Sequence, residues 1–211
     1  NLDVDERLTL QGEAKKLLAP RIDADWKDVL AGATKGKKIE FDMEFAKEVL
    51  PPDVIDGMVD LVNKTEKISG TLKNKKILDI GCNDGSLLDI FKNHGSKTYG
   101  VEPTGAAGEA IKKKHKIYNN YLDVKISKKL IKKYEYFDVI TFTNVFAHIE
   151  DFNELIRSLK ILIKPQTLLV IENHYFGEVL KKNQFDTFYH EHPRTYSLNS
   201  FNNISRLLNM H

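Results

Sequence analysis

Apolar and polar positions change their period along the chain. After Gly70, short apolar runs alternate with stretches whose apolar residues recur at helical spacing. The runs predict five strands, at residues 75–81, 97–103, 116–122, 137–145 and 167–175. The stretches between them predict helices at residues 86–94, 105–114, 126–134 and 151–163, and a last helix follows near residue 197. This alternation predicts an α/β fold, a doubly wound and mainly parallel sheet with helices on both faces.

The sequence before Gly70 has a different character. Residues 52–70 begin with a proline and then place apolar residues such as Val54, Met58 and Leu61 on one helical face. We therefore interpret residues 1–70 as a helical N-terminal lead-in that packs on the main domain, and residues 71–211 as that domain.

Composition and charge exclude several classes of protein. The 211 residues are 41% hydrophobic and 29% charged, with a formal net charge of +2, which favours neither a nucleic-acid partner nor a membrane surface. The single cysteine, Cys82, excludes a disulfide framework and a cysteine-rich zinc module. Because no apolar stretch approaches the ~20 residues of a membrane span and no secretory signal is evident, a cytoplasmic location is expected.

A glycine-containing loop follows the first strand, in the segment KKILDIGCNDGSLLDIF. Gly81 and Gly85 let backbone N–H groups approach a ligand at the edge of the sheet where doubly wound folds bind one. A dinucleotide fingerprint has glycine where Asn83 stands, and Asp84 would repel a pyrophosphate. S-adenosylmethionine carries a sulfonium and an ammonium group and no phosphate, so the acidic loop favours this cofactor over NAD.

The second predicted strand ends in Glu102, where an acid can hold both ribose hydroxyl groups of such a cofactor. The alternative interpretation is an ordinary strand-to-helix turn beside a solvated strand-end acid. The combination of loop, acid and strand order favours cofactor binding.

Four stretches then carry a resemblance to a family. ILDIGCNDGSLL and YGVEPT resemble the class I S-adenosylmethionine-dependent methyltransferases, whose core is Rossmann-like. NVFAHIED and QFDTFYHEHPRTYSL are similar to the sugar C-methyltransferases, which methylate C3 of nucleotide-linked 4-keto deoxysugars. The resemblance covers about residues 75–208, and implies S-adenosylmethionine as cofactor and a nucleotide-linked sugar as the small-molecule substrate.

The resemblance also implies roles for individual residues. Those expected around the cofactor are Asp79, Gly81, Asn83 and Gly85 at its methionine end, Glu102 at the ribose, Pro103 near the adenine, and Asn144 and His148 at the mouth of the site. The candidate catalytic residues form the box Tyr189, His190, Glu191 and His192, with His192 as the base. A carbon acceptor next to a ketone needs a base and a group that steadies the enolate, and this box supplies both kinds of side chain.

Two alternatives stay open at this point. An O-methyltransferase could use His192 to deprotonate a hydroxyl group of a sugar or another small metabolite. The chain could instead be an inactive cofactor-binding module, because the family's cysteine-rich module is absent and its last two strands are not reached by residue 211. The second point predicts an open sheet edge, which the N-terminal helices, a partner or a second copy would cover or which would stay uncovered.

The remaining polar clusters receive simpler interpretations. A metal site built on His174 and the two histidines of the box lacks further ligands, so no metal is expected. Nine lysines between residues 112 and 133 are interpreted as a solvated helix face. His94 and His115 lie beside helix ends and are expected to be solvated.

Overall fold

The computed structural model describes residues 52–181 and 192–210, and these form one α/β unit. Its strands are β1 Lys76–Ile80, β2 Lys97–Val101, β3 Lys116–Tyr118, β4 Val139–Thr143 and β5 Leu168–Glu172. Its helices are α1 Pro52–Ser69, α2 Ser86–Asn93, α3 Ala107–Lys112, α4 Val124–Tyr134, α5 Phe152–Leu162, α6 Phe176–Lys181 and α7 Leu198–Leu207, with a 3₁₀ turn at Phe146–His148.

The five strands form one parallel sheet in the order β3-β2-β1-β4-β5. The chain crosses from one half of the sheet to the other between β3 and β4, so the strand order reverses at β1 and β4. Asp79 of β1 stands in register with Gly100 of β2 and with Thr141 of β4. The predicted doubly wound fold is confirmed, and its ligand crevice is expected at the carboxyl ends of β1 and β4.

Two hydrophobic clusters cover the two faces of the sheet, because side chains alternate along each strand. Leu78 of β1 belongs to the larger cluster, which also contains Phe142, Phe146 and buried residues of the helices α4, α5 and α7. Ile77 belongs to the smaller cluster, together with residues of α1 and α2. Helix α1 contributes its buried Val62 there, so this part of the predicted lead-in packs on the sheet.

The predicted strands are longer than the observed ones mainly at their carboxyl ends. The third predicted strand, for example, runs to residue 122, but β3 ends at Tyr118 because the backbone turns at Asn119 and Asn120. These extra residues form the loops that line the crevice. The final helix begins where predicted, with Ser197 as its cap, and its side chain accepts a hydrogen bond from Ser200 N–H.

Some expectations lie outside the described residues. Residues 1–51 and most of the histidine-rich box are among them, and the boundary at residue 70 stays a prediction. The covering predicted for the edge of β5 also stays a prediction. No helix within residues 52–181 or 192–210 is long and apolar enough to cross a lipid bilayer.

Candidate active site

The loop from β1 to α2 is shaped by three residues with positive φ. Gly81 has φ +72° and donates its N–H to the carbonyl of Val101 at 2.8 Å. A Cβ on Gly81 would collide with the side chain of Val145, and one on Gly85 would lie 2.8 Å from Cδ2 of His115. Asn83, at φ +50°, takes the same conformation without being glycine, which asparagine tolerates. The glycines are therefore required by close packing around the loop.

Glu102 ties this loop to the loop after β2. Glu102 is only 5% exposed, and each of its carboxylate oxygens accepts one backbone N–H: that of Asn83 at 2.9 Å and that of Thr104 at 2.8 Å. Glu102 is thus not a solvated strand-end acid. Since each oxygen keeps a second lone pair, the carboxylate can still accept hydrogen bonds from a diol.

The sequence did not point to Asn119, which supports the same region. Its side-chain amide donates to the carbonyls of Glu102 at 2.8 Å and Thr104 at 2.9 Å. A signal was available, because Asn119 directly follows β3 at the edge of the sheet where the ligand is expected. Asn119 fixes the backbone around Pro103, the half-buried residue expected near the adenine.

Asp79 is the second buried acid of the crevice. It is 3% exposed, and the hydroxyl of Thr141 donates a hydrogen bond to its Oδ1 at 2.7 Å. Burial raises the pKa of Asp79 to about 7, with a further rise from the negative charge of Glu102 and an opposing effect of the Thr141 hydrogen bond. A buried carboxyl group in this state gains from a nearby cation, because the cation stabilises its charged form.

Asp84 has a different role from the one expected from the sequence. Its carboxylate accepts hydrogen bonds from Ser86 and from the ammonium group of Lys113, which lies 2.9 Å from Oδ2. Burial by itself would raise the pKa of Asp84, but these hydrogen bonds outweigh it and hold the pKa below its ordinary value. The charge of Asp84 is therefore compensated within the protein, and the acids that give the crevice its character are Asp79 and Glu102.

The end of β4 leads to the other half of the site. Asn144 follows β4 with φ +56°, and its N–H donates to the carbonyl of Glu172 at 3.0 Å. Its exposed side-chain amide lies 3.4 Å from Oε1 of the same glutamate. The backbone turns sharply here into the 3₁₀ turn that ends in His148.

Three histidines from distant parts of the sequence meet at this end of the sheet. The ring of His192 lies 4.5 Å from that of His148 and 5.6 Å from that of His174, measured between ring centroids. His148 comes from the turn after β4, and His174 from the residues after β5. The structure thus brings the last residue of the predicted catalytic box next to a residue predicted at the mouth of the site.

The chain segment of His192 is fixed by two anchors that the sequence did not reveal. The guanidinium group of Arg194 donates hydrogen bonds to the carbonyls of Ile149 and Glu150, the latter at 2.8 Å. Tyr196 is buried, and it accepts the N–H of Phe176 on its carbonyl at 3.0 Å. Both anchors join residues far apart in the chain, so no local pattern could have identified them.

Tyr189, His190 and Glu191 lie outside the described residues, and their roles stay predictions. Within the described ranges, no group of three or more His, Cys, Asp or Glu side chains is arranged to hold a metal ion.

Comparison with known proteins places this site in context. Residues 53–209 match the family described as "Methyltransferase domain". The C-methyltransferase NovU of Streptomyces niveus is 28% identical over 148 residues, which are 70% of this chain and 35% of NovU. The ubiquinone biosynthesis O-methyltransferase of Coxiella burnetii is 32% identical over 100 residues, which are 45% of this chain and 42% of that protein. This chain therefore spans less than half the length of either relative.

Among solved structures, a SAM-dependent methyltransferase from Archaeoglobus fulgidus is similar with a TM-score of 0.58 and 18% sequence identity. The match covers 80% of this chain and 74% of that one. The likeness confirms the Rossmann-like fold predicted from the alternation of strands and helices.

Proposed function

Since the chain belongs to the methyltransferase domain family, we propose that it transfers a methyl group from S-adenosylmethionine to a carbon atom of a nucleotide-linked keto-sugar, with His192 as the general base. S-adenosylmethionine is the cofactor of this fold and family, as the sequence predicts. When bound, it supplies an electrophilic methyl group. The observation that carries the acceptor chemistry is the meeting of His148, His174 and His192 at the carboxyl ends of β4 and β5.

The described residues fit the cofactor. Glu102 has free lone pairs for the two ribose hydroxyl groups, and the buried Asp79 would gain from the positive charges at the methionine end. Gly81, Asn83 and Gly85 shape the loop between these two acids, and Pro103 lies beside Glu102. The ammonium group of Lys113, near this loop, is already occupied by carboxylates, so the loop offers no cation for a pyrophosphate.

The histidine cluster suits a carbon acceptor. His192 would remove a proton from the carbon next to the ketone, and that carbon then becomes the nucleophile. An imidazole can accept a proton at neutral pH, and the developing enolate needs nearby donors. We propose that Tyr189 steadies the enolate, that Glu191 helps to position the site, and that Asn144 and His148 flank the cofactor and the acceptor.

The two relatives support different acceptor atoms. Similarity to a C-methyltransferase extends over 70% of the chain, which favours carbon. Similarity to an O-methyltransferase is more limited, over 45% of the chain. Transfer to an oxygen of a sugar or another small metabolite, with His192 deprotonating a hydroxyl group, is therefore the second candidate.

One experiment separates the two candidates. The full-length protein would be incubated with S-adenosylmethionine and a nucleotide-linked 4-keto deoxysugar, and the product examined by mass spectrometry and NMR. We expect a new carbon-bound methyl group next to the ketone, and exchange of the proton at that carbon with solvent deuterium. An oxygen-bound methyl group with no exchange would overturn the proposal in favour of O-methylation.

A further inference from the structure

Lys113, the residue after α3, is the centre of a compact group of charged and polar side chains beside the loop from β1 to α2. Its ammonium nitrogen lies 2.9 Å from Oδ2 of Asp84, 3.2 Å from the hydroxyl of Ser86 and 3.3 Å from Oδ2 of Asp89. The side chain is 18% exposed, so these contacts are largely shielded from solvent. Lys113 thus connects the loop and the first turn of α2 to the end of α3.

The neighbouring Lys112 shows how unusual this arrangement is. It has the same side chain, but it is 74% exposed and pairs with Glu109 on the surface at 2.7 Å. An exposed pair of this kind contributes little to stability. The sequence-based interpretation of this lysine run as a solvated face therefore fits Lys112 and is wrong for Lys113.

His115 contacts the same group of side chains through Asp89. The expectation that His115 is solvated is wrong. Its side chain is fully buried, with Nδ1 2.8 Å from the hydroxyl of Thr98 and Nε2 3.0 Å from Oδ1 of Asp89. Its ring lies directly under Gly85, where a Cβ would be only 2.8 Å from Cδ2. Asp89 therefore joins Lys113 to a rigid support beneath the loop.

We propose that Lys113 is a positioning residue for the cofactor site. It holds the carboxylate of Asp84 next to Ser86 at the start of α2. This fixes the positive φ of the adjacent Asn83, whose N–H in turn holds the carboxylate of Glu102 at 2.9 Å. The orientation of Glu102 toward the ribose thus depends on an ion pair that does not itself touch the cofactor.

Loss of the Lys113 ammonium group should reduce the fraction of molecules whose loop from β1 to α2 is already in the binding conformation. Without the ammonium group, Asp84 keeps an uncompensated, half-buried charge and the loop can turn it toward solvent. If only about a tenth of the molecules then keep the loop in its binding conformation, the apparent affinity falls roughly tenfold. This inference rests on the ribose placement proposed above, because it acts through Glu102.

The test measures binding of S-adenosylhomocysteine by calorimetry, which needs no acceptor. Lys113→Met should bind roughly tenfold more weakly than the parent protein. Lys112→Met, the same substitution one residue earlier, should bind as the parent does. With an acceptor available, Lys113→Met should raise KM for S-adenosylmethionine and leave kcat at saturating cofactor unchanged, a split that general loss of structure would not produce.

A second variant keeps the proposal testable if Lys113→Met does not fold. Asp84→Asn keeps the size of the side chain but removes its charge, and it should weaken binding in the same direction. Adding Lys113→Met to Asp84→Asn should then cost less than Lys113→Met alone, because the two residues act through one contact. Unchanged affinity in both single variants would overturn the proposal. If Glu102→Ala weakens binding while these variants do not, only the role of Lys113 fails; if Glu102→Ala has no effect either, the ribose placement fails.

Discussion

The two halves of the crevice, proposed above to hold the cofactor and the acceptor, are built in opposite ways. The cofactor half comes from segments close together in the sequence, and its acids are buried and held by backbone N–H groups or a hydroxyl: Asp79 is 3% and Glu102 5% exposed. The acceptor half comes from the residues after β4, the residues after β5 and the segment before α7, and both His148 and His174 are exposed. One half is preorganised locally, whereas the other depends on long-range contacts that bring distant segments together.

This contrast suggests why one fold can keep a cofactor and accept different substrates. The loops after β1 and β2 are locked to each other through Glu102, so changes there should affect cofactor binding alone. His192 sits on a segment anchored by Arg194 and Tyr196, so changes at His192 should affect turnover and not cofactor affinity. Substitutions in the two halves should therefore give separable effects. Three predictions test this in order of expected size, and a fourth, smaller one concerns the stability of the cofactor half.

The largest effect is expected for His192→Ala. Loss of a general base should lower turnover at least ~100-fold while the affinity for S-adenosylhomocysteine stays unchanged. Steady-state kinetics and calorimetry on the same preparation measure both quantities. His94→Ala, which removes a histidine paired with Glu66 at 2.9 Å, serves as the control and should keep full turnover. Equal turnover in His192→Ala and the parent would show that the histidine cluster is not catalytic.

Glu102→Ala should weaken cofactor binding, because Glu102 lies in the proposed cofactor half of the crevice. Loss of a carboxylate that accepts two ribose hydroxyl groups should cost roughly 1.5–3 kcal/mol, about ten- to a hundredfold in cofactor affinity. The same carboxylate also holds two backbone N–H groups, so Glu102→Gln is the matched variant that keeps the size of the side chain. Binding of S-adenosylhomocysteine as tight as in the parent, in both variants, would contradict the ribose placement.

Arg194→Met should reduce turnover through geometry. Its two contacts to the carbonyls of Ile149 and Glu150 hold the segment that carries His192, and loss of this alignment should lower kcat by about tenfold. Cofactor affinity should not change. Arg157→Met, which removes an exposed arginine paired with Glu154 at 2.6 Å, is the control. A loss of cofactor affinity equal to the loss in kcat would argue against two separable halves.

The smallest effect is on stability and its pH dependence. Because the pKa of Asp79 is raised to about 7, the folded state keeps a proton that the unfolded state loses above pH ~4. The stability contributed by Asp79 is therefore complete below that pH and is lost as the pH rises through 7. Asp79→Asn should remove this loss.

The pH-dependent loss of stability at Asp79 can be measured by thermal unfolding of the ligand-free protein at pH 5 and pH 8. At pH 8 the melting temperature of Asp79→Asn should exceed that of the parent by about 2–4 °C, the shift that ~1 kcal/mol produces in a chain of this size. His115 also makes stability depend on pH, because burial lowers its pKa and stability therefore falls as the pH drops below ~6.5. The parent and the variant share His115, so its contribution cancels in the difference between their melting temperatures. An equal difference between variant and parent at both pH values would show that Asp79 does not titrate in this range.

The sequence by itself predicted the fold, which the structure confirms, and the residues proposed for the cofactor half of the site. Strand and helix periods are local properties, and so is the loop at Gly81 and Gly85 between β1 and α2. Glu102 could be identified because the end of the next strand in a parallel sheet must lie at the same edge. The same reasoning could have found Asn119, which follows β3 at that edge.

Tertiary structure alone decided which charged and aromatic side chains meet. Asp84 and Lys113 are 29 positions apart, and Arg194 reaches a carbonyl 45 positions earlier in the chain. Neither a hydropathy period nor a short motif encodes such pairs, because the pairing depends on how crossover helices and returning segments pack on the sheet. For the same reason, the sequence predicted His192 as the base and left a site shared with His174 as an alternative, but only the tertiary structure set the two rings 5.6 Å apart, between ring centroids.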